Sequence, residues 1–462
     1  MSAAADRHEA AWSWASAAVI AFSVASAYAG SLRATFQFDD WRVIVNEPAV
    51  VNVPAWWASM PGIRPLLKLS YALNNASGWG ATGFHAVNLV LHAANSLMIF
   101  ALLGRLTLRE GIEPRRAQAI SLMGALLWAL HPVQTEAVTY ISGRSVSLAA
   151  FFSLTSILAW MEGRARSMAW PRALSATLFG CALLVKETAA VVPLIILLWE
   201  SGNGGAEEER GTKIPWAHLG VLAAGLGLAA SSAMYRHLLS TSLHARSAWA
   251  NLLTQAEGIG YLLGQLVRLD RLNADPALPV VTCLTGRVAL QGLCIAGLLA
   301  LGIVALRRSR PLAFGILWFL LFLAPTNSLL PRLDVANDRQ LYLALAGPAW
   351  LAAWWLAALF PARRAVALAI AISLALVLGA ATYRRNLVYA DEITFWRDVT
   401  HKSPHNPRAF NNLGYAYALD GRKAEAETAF RRALALEPGD VRSAVNLRLL
   451  LEGGLTKRPN SP

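Results

Sequence analysis

Two adjacent carboxylates, Asp39 and Asp40, follow the first apolar run of the chain in the stretch TFQFDDWRVI. A charged side chain at the centre of a membrane helix costs about 2.5–3.5 kcal/mol on insertion scales, so charges within or beside apolar runs tend to be paired or functional. A carboxylate at an aqueous mouth can take a proton from a hydroxyl group or bind a divalent cation. The pair is therefore the first candidate for catalysis, and the alternative is a carboxylate pair that only caps a loop.

Carboxylates and cations recur together at the edges of later apolar runs. Cations beside carboxylates suit a phosphate ligand that Arg and Lys hold, with a carboxylate nearby as base or metal ligand. The stretches that carry them include HPVQTEAVTYISGRS, LLVKETAAV and LDVANDRQLYL. The polar residues singled out beyond the Asp pair are Arg64, His85, His131, Glu136, Arg144, Lys186, Glu187, Asp334, Asp338 and Arg339.

Several of these residues have a structural alternative. Glu136 and Arg144 could form an ion pair that only holds the fold together. Lys186 and Glu187 could simply end two short helices. His85 could be a packed or interfacial histidine and not a ligand. These alternatives remain open from the residues alone.

Composition defines the elements that must position these side chains. Of the 462 residues, 56% are hydrophobic and 15% are charged, whereas soluble chains are about 45–50% apolar and about 25% charged. This composition predicts an all-α membrane bundle. The net charge of +13 comes from arginines scattered between apolar runs, which favours the positive-inside rule over a nucleic-acid partner. The three cysteines lie singly, so a metal cluster or redox motif is not expected.

About eleven apolar runs approach the roughly 20 residues that a membrane helix needs. Arginine-rich loops between them belong in the cytoplasm, which puts the amino terminus inside, the acid-bearing loops outside and the carboxyl terminus outside. The first of those loops is expected over about 31–83. The predicted spans are 11–30, 84–104, 117–131, 145–161, 168–185, 189–199, 216–234, 286–306, 311–325, 341–360 and 364–382.

The polar carboxyl-terminal segment predicts a tetratricopeptide repeat (TPR) over 407–440. Leu413, Gly414, Tyr417, Ala426 and Phe430 fall at the spacings of that repeat. An echo 34 residues upstream predicts part of an earlier repeat, and 441–452 predicts a capping helix. The chain should then divide into a membrane domain over 1–384 and an external TPR domain over 385–462. The repeat could bind a peptide or serve as a packing platform.

The order of these stretches resembles the TMTC group of protein O-mannosyltransferases and their bacterial relatives, which are GT-C glycosyltransferases. The stretches FQFDDWRVIVNEPAV, RPLLKLSYALN, GFHAVNLVLHAANSL, ALHPVQTEAVTYISGRS, LLVKETAAVVPL and NDRQLYLAL precede the TPR in that order. The resemblance covers nearly the whole chain. Three departures stand out. Ser145 and Val146 follow SGR where the family usually has Ala-Asp, the family pattern ER-YLYLPS appears here as DRQLYLA over 338–344, and the TPR array is short.

The resemblance implies a sugar, mannose in the named group, transferred from a polyprenyl-phosphate donor to an extracytoplasmic protein or glycan acceptor. It implies that Asp39 or Asp40 is the base and that Glu136 is the second acid, for the acceptor or a cation. Arg339, Lys186 and Arg144 would offset the phosphate charge, with His131, Glu187, Arg64 and His85 as further site residues. Mg²⁺ or Mn²⁺ could bind at Asp40 and Glu136.

The implied location is a prokaryotic plasma membrane, where the protein would contact membrane lipids. Two other classes of function remain open. A transporter or flippase for a lipid-linked solute would be expected to show two related halves. A non-catalytic anchor that presents a TPR adaptor would leave the external acids without a role.

Overall fold

The computed structural model describes residues 3–201, 214–328, 330–332 and 334–455. Most of these residues lie in helices, and no strand occurs among them. The first nine α-helices are α1 (Ala3–Tyr28), α2 (Val53–Ala58), α3 (Pro65–Ala76), α4 (Gly80–Arg109), α5 (Pro114–Ala129), α6 (Thr135–Val138), α7 (Arg144–Ala165), α8 (Ala169–Val185) and α9 (Val192–Glu200).

The remaining helices complete the membrane bundle and the carboxyl-terminal repeat. They are α10 (Trp216–Ser231), α11 (Ala233–His244), α12 (Ala248–Gln265), α13 (Gly286–Ala305), α14 (Arg310–Leu323), α15 (Leu341–Ala344), α16 (Ala346–Leu359), α17 (Arg364–Leu387), α18 (Glu392–Lys402), α19 (Pro407–Leu419), α20 (Lys423–Leu436) and α21 (Val441–Leu451). Short 3₁₀ or π turns lie at Ala29–Arg33, Trp41–Val45, Pro48–Val50, Pro132–Gln134, Ile141–Gly143, Glu187–Val191 and Asp338–Gln340.

Local sequence explains where several helices begin. The Glu113 carboxylate accepts the backbone N–H groups of Arg115 and Arg116, both at 3.0 Å, and Pro114 occupies the first turn of α5. Asn406 caps α19 in the same way ahead of Pro407. An acceptor side chain at the cap satisfies N–H groups that have no partner inside the helix, and proline fits the first turn because its N–H is not needed there.

All eleven predicted spans fall on helices, but their lengths differ. Within the described residues, five helices are long and apolar enough to cross a membrane, or up to seven if each of two bent pairs counts as one span. The run predicted at 189–199 is divided between the turn Glu187–Val191 and the nine-residue α9. The described part of the chain is all-helical and carries apolar helices of membrane-spanning length, so the protein is a membrane protein; the count of eleven spans stays a prediction.

Two regions that the sequence left as loops contain helices. The predicted first external loop, 31–83, includes α2 and α3 and ends early because α4 already begins at Gly80. The segment after α10 forms α11 and α12, of which α12 has 18 residues. Their apolar residues are interrupted by polar ones, so neither segment has the continuous apolar run that identifies a span.

Close helix packing holds the bundle together. A Cβ added at Gly347 of α16 would collide with the backbone carbonyl of Gly315 on α14, so only glycine allows this approach. Small residues at helix contacts are typical of membrane bundles because they let backbones come near each other. Buried hydrogen bonds add to the packing. His92 Nδ1 lies 2.9 Å from the Tyr342 hydroxyl, and Trp128 Nε1 donates to the Tyr342 carbonyl at 2.6 Å.

The carboxyl-terminal helices pack on the end of the bundle that carries the Asp pair. Trp41 Nε1 donates to Glu392 of α18 at 2.9 Å, and the rings of Phe38 and Trp396 meet edge to face at 5.1 Å. The helix α17 runs through the predicted domain boundary at 384–385 and ends at Leu387. The division of the chain into two domains stays a prediction.

Candidate active site

The two acids of the Asp pair lie in different surroundings. Asp40 is fully buried, and its two carboxylate oxygens accept the backbone N–H groups of Gln37 at 2.9 Å and Ser142 at 2.8 Å. Burial raises the pKa of Asp40 to about 7, although both backbone hydrogen bonds oppose the shift. Asp40 therefore ties the first loop to the turn Ile141–Gly143.

Asp39 lies at the surface of the same turn. Its side chain is 35% exposed, and the nearest cation, Arg42, is 3.9 Å away and 81% exposed. The backbone N–H of Asp39 donates to the Tyr140 hydroxyl at 3.0 Å. Asp39 thus keeps its carboxylate accessible while its backbone is held against the buried Tyr140.

Glu136 and Arg339 form the central charged pair. The backbone N–H of Arg339 donates to Glu136 Oε2 at 3.0 Å, and Arg339 Nε lies 3.6 Å from Oε1. Burial raises the pKa of Glu136 to about 7 against the opposing charge of Arg339. The Arg339 guanidinium also lies 5.8 Å from the centre of the Tyr140 ring.

Arg144 occupies a fully buried cage and does not pair with Glu136. Its guanidinium donates to Asn88 Oδ1 and Asn74 Oδ1, both at 2.7 Å, and to the Phe84 carbonyl at 2.9 Å. The alternative of a Glu136–Arg144 ion pair is wrong, because the partner of Glu136 is Arg339. The donors of Arg144 are directed to protein acceptors, which favours a positioning role over contact with a phosphate.

The turn between Glu136 and Arg144 depends on one glycine. A Cβ at Gly143 would collide with the Glu136 carbonyl oxygen and come within 2.9 Å of Ala137 Cα. Only glycine allows these two segments to approach so closely. Gly143 thus keeps Glu136 near the Ser142 N–H that binds Asp40.

Three cations line one small cavity of the site. A cavity of about 50 Å³ is lined by Lys186, Arg332 and Arg339 together with apolar residues such as Phe322. Burial, reinforced by the charges of Arg64 and Arg339, lowers the pKa of Lys186 well below its ordinary value. An anion in this cavity would favour the charged form of Lys186.

Glu187 turns away from that cavity, although it is adjacent to Lys186. It forms a bidentate pair with Arg64, whose Nε lies 3.2 Å from Oε1 and whose Nη2 lies 2.8 Å from Oε2, and it also accepts the Tyr235 hydroxyl at 3.3 Å. The pair joins the start of α3 to the turn after α8. The ion pair between these two residues stabilises the edge of the site.

A second, larger cavity lies on the other side of Arg339. It measures about 260 Å³ and is lined by Glu136, Tyr140 and Arg339 of the membrane bundle and by Phe395 and Arg408 of the carboxyl-terminal helices. Arg408 closes one edge of this cavity by pairing with Asp275 at 2.5 Å and Asp334 at 3.1 Å. Arg339 and Asn337 line both cavities.

The two histidines singled out in the sequence make structural contacts. His131 Nδ1 accepts the Val133 N–H at 3.2 Å, and the imidazole is buried. His85 Nε2 lies 3.0 Å from the Ala34 carbonyl oxygen and is also buried. Both imidazoles hold backbone segments near the site, and neither lines the two cavities described above.

The described residues contain no group of three or more His, Cys, Asp or Glu side chains that could hold a metal ion. Asp40 and Glu136, the predicted ligands, already accept backbone N–H groups. These donor sets do not fit a Mg²⁺ or Mn²⁺ cage of several oxygen ligands. A metal ion stays a prediction, and the chemistry proposed for this chain does not depend on one.

Three residues that line the two cavities were not predicted from the sequence. Tyr140 and Arg332 line the cavities but were not among the predicted site residues, and Arg408 lies inside the TPR, which was not predicted to line the site. The sequence signal for Tyr140 was its place in the polar stretch between Glu136 and Arg144. For Arg332 and Arg408 no local pattern pointed to the site.

Known proteins resemble both the membrane region and the TPR of this chain. A family model described as "Tetratricopeptide repeat" matches residues 407–440, which confirms the predicted repeat. The human protein O-mannosyl-transferase TMTC1 is 24% identical over 94% of this chain and 56% of its own length. The mouse TMTC1 is 32% identical over 42% of this chain and 23% of its own length.

A third relative extends the likeness to insects. The Drosophila melanogaster protein O-mannosyl-transferase Tmtc3 is 24% identical over 83% of this chain and 49% of its own length. The chain thus spans about half the length of the human TMTC1 and Drosophila melanogaster Tmtc3 proteins. No solved structure matches. The resemblance to the TMTC proteins predicted from the order of the motifs is confirmed: the chain is TMTC-like over nearly its whole length and ends in a TPR.

Proposed function

We propose that this chain is a membrane glycosyltransferase that moves a sugar from a polyprenyl-phosphate donor to a hydroxyl acceptor outside the cytoplasm. The names of its relatives make mannose the first sugar to test and a protein hydroxyl the first acceptor. The observation that carries the proposal is the position of Arg339. It lines a cationic cavity on one side and a cavity rich in aromatic and acidic residues on the other.

The cationic cavity suits the donor phosphate. Lys186, Arg332 and Arg339 bring three cations beside apolar side chains, which is what a phosphate attached to a lipid requires. The planar Arg339 guanidinium can bind two phosphate oxygens at once. In the transition state the bond from the sugar to the phosphate oxygen breaks, and these cations stabilise the negative charge that develops on the leaving phosphate.

Asp39 is the better candidate for the base. In the reaction the acceptor oxygen forms the new bond to the sugar, and the hydroxyl proton passes to a carboxylate. Asp39 is partly exposed, whereas both oxygens of Asp40 accept backbone N–H groups inside the protein. The base must come within about 2.6–3.2 Å of the acceptor hydroxyl, and an accessible carboxylate can do so without breaking the turn. Asp40 then positions Asp39.

Incubation of the purified protein with radiolabelled polyprenyl-phosphate sugars, beginning with mannose, tests this proposal. Asp39→Asn should lower the rate of transfer about 10²–10⁴-fold, which is the usual contribution of a general base, and should leave donor binding unchanged. Asp270→Asn is the matched control, because Asp270 is 82% exposed in another loop. Wild-type transfer by Asp39→Asn would refute the role of the base, and no transfer by wild type from any donor would favour the adaptor function.

The orientation proposed here places the amino terminus in the cytoplasm and the TPR outside. It rests on the distribution of arginines between the apolar helices. A reporter enzyme fused to the carboxyl terminus should be active only outside the cytoplasm. Activity confined to the cytoplasm would contradict the orientation and would place the site on the wrong side of the membrane for an external acceptor.

A further inference from the structure

A groove lies between α1, α4 and α5 at the helix ends opposite to the candidate active site. Its volume is about 450 Å³, and it is the largest of the described cavities. The amino-terminal halves of α1 and α5 and the carboxyl-terminal half of α4 form its walls. The Asp pair follows the other end of α1, and Glu136 follows the other end of α5, so the groove is separate from the site described above.

The length of the groove matches one leaflet of a bilayer. Along α4 the lining runs from Leu97 to Leu108, eleven residues apart. At 1.5 Å per residue these positions are about 16 Å apart along the helix. Half of a hydrocarbon core of about 30 Å is about 15 Å. A single acyl chain that starts at the membrane surface would therefore fill the groove to its inner end.

The walls of the groove are apolar and open. Small residues at Ala17, Ala101, Gly104 and Ala117 alternate with larger apolar ones. A Cβ at Gly104 would meet only the Ser121 hydroxyl, at 3.8 Å, so the protein itself leaves this space free. Such a surface suits a flexible hydrocarbon chain.

The outer end of the groove is positively charged. Arg105 and Arg115 line it there, Arg115 is exposed, and Trp14 beside them is 77% exposed. Arg105 binds Glu162 at 2.9 Å, but Glu162 also pairs with Arg166, so positive charge remains in excess. Tryptophan and arginine at the same depth are typical of a helix end at the membrane–water interface.

We propose that this groove binds one anionic glycerophospholipid, with an acyl chain along α4 and the phosphate between Arg105 and Arg115. Charge complementarity selects an anionic headgroup over a neutral one, because guanidinium groups bind phosphate oxygens through charge-assisted hydrogen bonds. The length of the groove selects a lipid over a soluble anion. The bound lipid would fill the gap that α1, α4 and α5 leave at this surface.

Native mass spectrometry of the full chain in a neutral detergent tests the proposal. Phosphatidylglycerol and phosphatidylcholine are added, and their binding is compared. Wild type should retain phosphatidylglycerol in preference to phosphatidylcholine. The double variant Arg105→Gln/Arg115→Gln should bind phosphatidylglycerol about 30-fold more weakly, which is the contribution of two arginines near an anionic surface. The control Arg307→Gln/Arg308→Gln removes the same charge from an exposed loop and should bind as wild type does.

A second variant tests the groove without changing its charge. Ala101→Leu places a larger side chain in the groove and should also reduce retention of phosphatidylglycerol, with unfolding temperatures as the check on folding. Equal retention of the two lipids by wild type would overturn the proposal, as would equal binding by the two double variants. Binding of inorganic phosphate that competes fully with the lipid would identify a free-anion site and would overturn the role of the groove.

Discussion

Replacement of Asp40 by asparagine tests the structural difference between the two acids. The introduced side chain would keep one carbonyl oxygen for a backbone N–H, but its amide group would face the other N–H, either that of Gln37 or that of Ser142. A buried donor without a partner costs about 1–3 kcal/mol. We therefore expect Asp40→Asn to lower the free energy of unfolding by about this amount at pH 5, where burial keeps the carboxyl of wild type mostly protonated.

The same variant should have a different pH dependence. Burial raises the pKa of Asp40 from its ordinary value of 3.8 to about 7. A carboxyl whose pKa is higher in the folded state than in the unfolded state binds more protons when folded, so stability falls as pH rises between about 4 and about 7. The introduced asparagine does not titrate, so the gap between variant and wild type should shrink as pH rises. Glu136, whose pKa is also raised to about 7, preserves part of the slope in both proteins.

Thermal unfolding in detergent between pH 5 and pH 8, followed by the fluorescence of the 17 tryptophans, measures both effects. The midpoint of Asp40→Asn should fall by a few degrees at pH 5, since 1 kcal/mol shifts it by about 2–4 °C in chains of 150–250 residues and by less in longer ones. Asp39→Asn is the control and should unfold as wild type does, because its exposed ion pair contributes little. An unchanged Asp40→Asn midpoint, or a gap that widens with pH, would refute the reasoning.

Three further predictions concern the donor, the turn and the repeat. Arg339→Lys should raise the donor KM because lysine cannot bind phosphate bidentately, whereas Arg268→Lys at an exposed loop should not; steady-state transfer assays compare the two. Gly143→Ala should lower the unfolding temperature because its Cβ has no space, whereas Gly220→Ala, with open space around it, should be tolerated. Arg408 lines the cavity of about 260 Å³, where we expect the acceptor to bind, so Arg408→Gln should raise the acceptor KM in the same transfer assay and leave the donor KM unchanged. Equal changes in both constants would contradict an acceptor in this cavity.

The sequence predicted the parts of this protein that depend on local patterns. Length of apolar runs identified the helices, because a span needs a continuous run of apolar residues. The repeat was predicted at 407–440 because its residues recur at fixed local spacings, and the matching family model covers the same residues. The order of six short motifs was enough to indicate the TMTC resemblance. The helices α3, α11 and α12 were missed because polar residues interrupt their apolar runs, and α2 was missed because its six residues are too few for a span.

The tertiary structure decided which polar residues meet and which are buried. Asp39 and Asp40 are neighbours in the chain, but only Asp40 binds the N–H of Ser142, 102 residues away. Glu136 could have paired with nearby Arg144, yet its partner is Arg339, 203 residues away. Burial and pairing depend on contacts between distant segments, and these contacts set the pKa of a carboxylate and the acceptors of a guanidinium. The sequence by itself therefore determined the helices that carry continuous apolar runs, the repeat and the resemblance, and only the packing distinguished the accessible Asp39 from the buried Asp40.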